Sequence, residues 1–373
     1  MFFFFAPVLV LFFQENGLTM TQIMVLQSVF SIAIVILEIP TGAVGDYFGK
    51  RLSLIVGSLC AFVGFTAYSM SAVFWQFLIA EIVIAIGFAL MSGSDSAILH
   101  SSLKSLNKEY LYKKIEGKAG ALQLTGILLG SFLGGYIASS SLRLTMIASA
   151  LMAGITLVIS LFFNEPEIIE DTSQSHVSYV EVIKSSIQLF QKNTMLLWLF
   201  LFVSTIGALA HLLHWIYQPY MVSVKLPVIY FGWAYMALGL ISVMASRGAD
   251  YIDKKLGGMR TLGVLVILVI SSPLILPFVN SIYGIGALIF HQIFLGLSPV
   301  IFNDRVLKII PAERAATVLS INNLGKRLIY SALGPILGYS LDVISLQMTL
   351  FILSVIVTIS AFFFFVLRPH SNN

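Results

Sequence analysis

The stretch EIPTGAVGDYFGKRL, residues 38–52, decides how the chain is read. It places an acid and two bases, Asp46, Lys50 and Arg51, among three glycines, Gly42, Gly45 and Gly49, and it is flanked on both sides by long apolar runs. A related stretch, RGADYIDKKLG, stands at residues 247–257, with Asp250, Lys254 and Lys255 in the corresponding places. Gly45-Asp46-Tyr47-Phe48-Gly49-Lys50-Arg51 aligns with Ala249-Asp250-Tyr251-Ile252-Asp253-Lys254-Lys255 at an offset of 204 residues. A second pair, Gly130-Ser131-Phe132-Leu133-Gly134 and Gly334-Pro335-Ile336-Leu337-Gly338, recurs at the same offset. Two separate motif pairs at one offset point to an internal duplication. An even number of spans per copy gives both copies one orientation, the parallel kind of repeat.

The composition says what surrounds these turns. Of 373 residues 58% are hydrophobic and only 10% charged, against about 25% charged in a soluble domain. The mean hydropathy is +0.96, and a water-soluble surface cannot be covered from so few polar groups. The chain reads as an all-α membrane protein. Twelve spans are expected, near 1–14, 20–40, 52–70, 74–98, 117–139, 142–163, 194–221, 228–248, 261–279, 282–306, 314–341 and 345–367. The first is short: Phe2–Phe13 reaches about 18 Å as helix against about 30 Å of hydrocarbon. It reads as truncated, or as the remainder of a span that starts upstream of Met1. No cleavable signal is evident in MFFFFAPVLVLFF.

Of 21 Lys and Arg, all but Arg143 and Lys225 fall on one side when the 38–52 turn is placed in the cytoplasm. The positive-inside rule then sets both termini in the cytoplasm and gives a multi-pass protein of the cell membrane. The longest polar interval, 164–193, separates an N-terminal bundle (1–163) from a C-terminal one (194–373). Val180, Ile183, Ile187 and Phe190 form one helical stripe there, expected to lie along the membrane surface. In the 38–52 turn the glycines permit a tight reversal, and Asp46 is placed to cap the next helix.

On these residues the sequence resembles the major facilitator superfamily of secondary transporters, and among them bacterial drug/proton antiporters. Gly42-Ala43-Val44-Gly45-Asp46-Tyr47-Phe48-Gly49-Lys50-Arg51 follows that family's loop pattern G-x-x-x-D-x-x-G-[RK]-[RK] throughout, and the degenerate second copy is also usual there. The resemblance implies two pseudo-symmetric six-helix bundles and a central cavity lined by the first, fourth, seventh and tenth spans. It also implies that the loop helps hold one of two alternating states. In the fifth span Gly117, Gly126, Gly130, Gly134 and Gly135 keep the antiporter glycine spacing, with Ser131 where proline is usual. In the fourth span Glu81 stands where proton-coupled members carry an arginine, so that arginine's role does not transfer.

Ionisable groups inside a span are costly and face a cavity or a partner. The candidates are Glu81 in the fourth span, His211, His214, Trp215, Tyr217 and Gln218 in the seventh, and His291 and Gln292 in the tenth. Glu81 is expected to carry the coupling proton, alone or shared with a histidine. His211 and His214 lie three apart on one helical face, but with no Cys or acid in the segment to complete a metal site; no metal is expected. Trp215 and Tyr217 belong either to the interfacial aromatic belt or to the substrate site. Glu38, Asp95, Glu116 and the Asp304-Arg305 pair sit near cytoplasmic span ends, where they would lock and release the gate, with Lys326 and Arg327 as counter-charges.

No P-loop and no convergent catalytic set is present, so an ion gradient, H⁺ by preference, is expected as the energy source and no cofactor. The expected activity is efflux of a small molecule by a monomer in the lipid bilayer. Uptake of a small nutrient, or a non-transporting sensor or scaffold on the same fold, are the alternatives. No nucleic-acid partner is indicated.

Overall fold

The structure, a computed structural model, describes residues 3–165, 190, 193–311 and 314–369, with the side chains of residues 39, 43, 44, 46 and 316 outside the description. Among the described residues every regular element is helical: α1 (Leu9–Glu15), α2 (Met20–Phe48), α3 (Lys50–Met70), α4 (Phe74–Met91), α5 (Ser94–Ser105), α6 (Tyr112–Ala138), α7 (Leu142–Leu161), α8 (Thr194–Ser223), α9 (Ile229–Leu256), α10 (Gly258–Ile275), α11 (Leu288–Leu307), α12 (Ala315–Val343) and α13 (Leu346–Val366). Ten helical stretches among them are long and apolar enough to cross a membrane. The two other expected spans fall short for different reasons. The first holds only the seven-residue α1. The eleventh, α12, is long enough, but Asn322, Asn323, Lys326 and Arg327 break its apolar character. Outward-facing side chains such as Ile36, Ile79, Ile267 and Ile359 are each more than 60% exposed, as lipid-facing positions are.

Packing divides the chain into two compact units, Met1–His176 with Val228–Tyr235, and Val177–Pro227 with Met236–Asn373. In the first unit, α2 starts on a capping box. Thr19 Oγ1 accepts from Gln22 N at 3.2 Å and Gln22 Oε1 from Thr19 N at 3.0 Å, which meets two of the free donors of the first turn. α3 and α4 cross where glycines remove the side chains between them. A Cβ on Gly87 would stand 2.7 Å from the Gly57 carbonyl oxygen, and one on Gly57 would stand 2.9 Å from that of Gly87. Small residues of this kind allow close helix approach in lipid. Phe12, Phe13, Tyr68 and Phe77 close the outer part of the unit, with Phe13 and Phe77 edge to face at 5.2 Å. Arg143, one of the two cations expected on the outer side, is satisfied by the Ser69 and Ser71 carbonyls (2.6 and 3.2 Å) and by Asn16 Oδ1 (2.8 Å).

In the second unit α8 is the central helix. Asn193 caps it, accepting from Leu196 N at 3.0 Å. Trp198 Nε1 donates to the Phe364 carbonyl of α13 at 2.7 Å, and the Phe202 ring lies parallel to Trp198 at 5.3 Å. Gly325 of α12 comes so close to α8 that a Cβ would lie 2.6 Å from Ser204 Oγ. Phe190 is buried against Phe200. The rest of the amphipathic stripe expected at 180–190, like most of the expected linker, lies outside the described residues.

The two motif turns narrow the expected Gly-rich reversal. Gly42 and Gly45 are inside α2, and the reversal is confined to Gly49 at φ 94°. Gly45 gives room for Lys50, whose Nζ would lie 3.2 Å from a Cβ there. The second copy continues as helix through Asp253-Lys254-Lys255, and its reversal comes at Gly257 and Gly258, φ 72° and 21°. A non-glycine residue in this positive-φ, extended region costs roughly 1–3 kcal/mol, and Asp253 occupies the place of Gly49, so the turn moves on to the next glycine. The carboxylate that caps α3 was expected from Asp46, whose side chain is outside the description. The acid seen on the Lys50 and Arg51 N–H groups is Glu165, at 2.7 and 2.9 Å. Arg51 also donates to the Leu161 carbonyl at 3.1 Å.

Gly49→Ala is expected to lower stability by roughly 1–3 kcal/mol, and Glu165→Ala to lower the apparent melting temperature in detergent as well. A Cβ at Gly49 would press on Glu165 Oε2 at 2.6 Å, so the two losses should combine to less than their sum. Full additivity would mean that the turn and the cap are independent.

Candidate functional site

Each unit holds a buried polar cluster. In the first, Glu81 on α4 is 4% exposed. Gln27 of α2 donates to it through Nε2, and Tyr68 of α3 hydrogen-bonds to it as well. Gln27 and Tyr68 are 8% and 3% exposed. Phe77, Phe13 and Tyr68 stack edgewise beside the acid, with Tyr68 and Phe77 5.5 Å apart. Three helices thus bring one carboxyl and two neutral groups into an apolar surround. Sequence reasoning found Glu81 but not its partners. The signal was present, since Gln27 is a lone amide in the middle of an apolar span, but which polar group it meets is decided by packing.

In the second unit, Tyr217 of α8 and His291 of α11 share a hydrogen bond of 2.6 Å between the hydroxyl and Nδ1. Gln292 Nε2 donates to the same hydroxyl at 3.3 Å. With that donor on its oxygen, the Tyr217 hydroxyl can give its own proton to Nδ1. In that tautomer His291 carries its proton on Nε2, on the side of the Ala210 carbonyl of α8. Ser272 of α10 steadies the backbone by accepting from His291 N at 3.1 Å. The His214 ring lies tilted against Tyr217 at 4.9 Å, and His211 meets Tyr330 of α12 at 4.7 Å. The structure therefore joins His214, Tyr217, His291 and Gln292 in one network. Gln218 is buried beside them. Trp215 is half-buried, its Nε1 without a hydrogen-bond partner among the described residues.

The gating candidates are more scattered. The fourth span breaks at Gly93, φ 76°, so Asp95 opens the separate helix α5 instead of closing the span. Its carboxylate is exposed and accepts from Ser96 N at 2.8 Å. Ser96 Oγ donates to Glu116 at 2.8 Å, tying α5 to α6. Asp250 pairs with Lys254 at 2.7 Å on an open surface. Asp304 pairs with Lys308 at 2.5 Å, an exposed contact that holds the ammonium above its usual range. Arg305 binds Asp253 at 2.8 Å and the Gly258 carbonyl at 2.7 Å, closing the second turn. Of the glycines in α6, Gly126, Gly130, Gly134 and Gly135 are buried and Gly117 is exposed. Gly134 lies directly under the Phe4 carbonyl. A Cβ on Gly135 would stand 2.5 Å from Gly232 N.

The family model described as Major Facilitator Superfamily matches residues 1–335. The chain belongs to this superfamily. Solved structures of the superfamily fold agree. The nucleoside transporter NupG superimposes with a TM-score of 0.81 at 13% identity, over 96% of this chain and 93% of that one. A D-xylose-proton symporter gives 0.77 at 14%, over 99% and 95%. A curated relative, the Tetracycline resistance protein, class H, of Pasteurella multocida, is 24% identical over 189 residues, 50% of this chain and 46% of its own length. The chain thus spans less than half the length of that relative. What these findings establish is a multi-pass membrane protein of a transporter family and fold, which is not an enzyme family.

Tyr217→Phe should strand His291 Nδ1 and the Gln292 amide, each already dry. A loss of about 1–3 kcal/mol is expected, read as a lower unfolding midpoint, with a smaller loss for Gln292→Leu. An unchanged midpoint for Tyr217→Phe would show that the hydroxyl holds nothing.

Proposed function

We propose that this superfamily member is a secondary active transporter that exports a small molecule across the cell membrane by alternating access in exchange for protons, with Glu81 as the proton-carrying group. The observation that carries the reading is the setting of Glu81, a carboxyl buried in an apolar helix of the first unit and held, among the described residues, by the neutral Gln27 and Tyr68. An acid bonded to neutral groups changes its protonation without breaking an ion pair, and the amide and hydroxyl re-aim to suit either form. A structural acid held permanently as a carboxylate would be expected beside a cation; one held permanently protonated is the rival that the transport test separates. Export is supported by the glycine spacing of α6 and by the partial likeness to a protein named for tetracycline resistance. The functional unit is a monomer with both termini in the cytoplasm, working on an ion gradient with no bound cofactor.

The cluster of His214, Tyr217, Gln218, His291 and Gln292 supplies the polar wall on which a substrate would be oriented. The glycine turns and the Asp95, Glu116 and Arg305 contacts are the elements that make and break at the gate.

The test uses proteoliposomes loaded with a pH-sensitive dye and challenged with tetracycline, uridine and D-xylose as probes under an imposed pH gradient. A probe that is carried should move protons in the opposite direction in the wild type. Glu81→Gln should abolish that movement while leaving exchange of labelled for unlabelled probe in place. Full dependence on the pH gradient in Glu81→Gln would remove Glu81 from the coupling step. Protons moving with the probe would reverse the direction.

A further inference from the structure

Lys326 stands in the middle of α12. At 1.5 Å per residue it lies about 16 Å along the axis from Ala315, around half of the hydrocarbon thickness. Its aliphatic chain runs along α8 over Gly207, where a Cβ would be 3.0 Å from Lys326 Cδ. A larger residue at position 207 would displace it. The side chain is half-buried, and among the described residues no carboxylate forms an ion pair with it. The described acids of this unit are engaged at the end of the bundle: Asp250 with Lys254, Asp253 with Arg305 and Asp304 with Lys308. Asp342 is sixteen residues further along α12, about 24 Å away along the axis. From 194 to 223, α8 has no acid at all.

The seam around Lys326 is polar on both sides. Asn322, Lys326 and Tyr330 recur every four residues on α12, one face of a helix. Opposite them on α8 stand Ser204, Gly207 and His211. Ser204 reaches the Asn322 carbonyl at 3.5 Å, and His211 meets the Tyr330 ring at 4.7 Å. Asn322 is 6% exposed, and its Oδ1 has no partner among the described residues. Arg327 follows Lys326 in the chain, and both charges are within electrostatic reach of His211, itself open at the surface of the unit. A static seam between two membrane helices would be packed with small and apolar side chains. This one holds a cation that costs free energy to keep there, an accessible imidazole and an unsatisfied amide.

We propose that the α8–α12 seam is a binding site for an organic anion, with the Lys326 ammonium as the point charge for a carboxylate or phosphate group. His211 supplies a neutral hydrogen bond beside it, and Asn322 Oδ1 is an acceptor for a hydroxyl or amide elsewhere on the same ligand. Charge-assisted bonds of this kind are the strong ones, and a lysine without a fixed partner is an arrangement that a charged ligand completes. The proposal deepens the transport reading by naming the substrate class, and in that respect it rests on it.

The experiment measures the melting temperature of the full chain in lipid nanodiscs with paired probes of similar shape and different charge: benzoate with benzamide, glutarate with glutaramide, and glycerol phosphate with glycerol. At least one anion should stabilise the wild type while its neutral twin does not. Lys326→Gln should weaken that binding about tenfold or more, and Lys326→Arg should retain most of it. Without probe, Lys326→Gln should melt no lower than the wild type, since an uncompensated charge is removed. His211→Gln, at the same seam, should weaken anion binding by itself, so a poorly folding Lys326 variant does not decide the matter.

Three results would overturn the site: no anion binding, anion binding unchanged in both variants, or a Lys326→Gln protein that melts lower unliganded, the mark of a structural ion pair. Transport of the same probes into liposomes separates the two readings. Anions bound through Lys326 but never moved would end the transport reading and leave the site. Neutral compounds carried equally well by Lys326→Gln would do the reverse.

Discussion

Hydrocarbon offers no hydrogen-bond partner, so every backbone N–H and carbonyl that lies within it must be satisfied by the protein itself. That is why every regular element among the described residues is a helix, and why the places where helices end are so heavily furnished. The α2–α3 reversal lasts a single residue, Gly49, and the donors exposed at the start of α3 are taken at once by the Glu165 carboxylate. The second reversal is closed by Arg305, which joins Asp253 and the Gly258 carbonyl. The same constraint acts on side chains. Arg143 is surrounded by loop carbonyls, the Trp198 indole finds the Phe364 carbonyl, and Glu81 takes two neutral neighbours. Among the described residues the constraint is not met at Asn322 Oδ1, nor at the buried hydroxyls of Ser28 and Thr349, so the exceptions are spread over several helices.

The fold was legible in the sequence because its punctuation is physical. A reversal between two spans needs a residue that tolerates positive φ, and glycines beside lysines announced both turns. The duplication could be read from two motif pairs at one spacing. What the pattern did not convey was where the helix gives way. Gly42 and Gly45 looked like part of a loop, yet a helix interior tolerates them and neighbours exploit the missing side chains, as Lys50 does over Gly45. Conversely, the fourth span looked continuous, yet it breaks at Gly93 and hands Asp95 to a new helix.

The candidate site was half legible for a related reason. Glu81, His291 and the seventh-span histidines stand out because each is polar in an apolar run. Their partners are ordinary in sequence: Tyr68 is one tyrosine of fourteen, and Gln27 and Tyr330 are unremarked in their spans. Glu165 reaches Lys50 across 115 positions of chain, a pairing that no local pattern encodes. The polar half of α12 was visible as two asparagines and two cations. Only the packing of Lys326 over Gly207 shows that they share a seam with α8.

The four-residue displacement of the second reversal reassigns its cations. Lys50 and Arg51 open a helix, at the end where the peptide dipoles make positive charge unwelcome, whereas Lys254 and Lys255 finish one, at the end that welcomes it. The first copy therefore depends on an acid borrowed from beyond α7, and the second on a base borrowed from α11. The two turns have in this way acquired fastenings of opposite sign: a carboxylate grips the start of the helix that follows the first, and a guanidinium ties together the two helix ends that meet at the second.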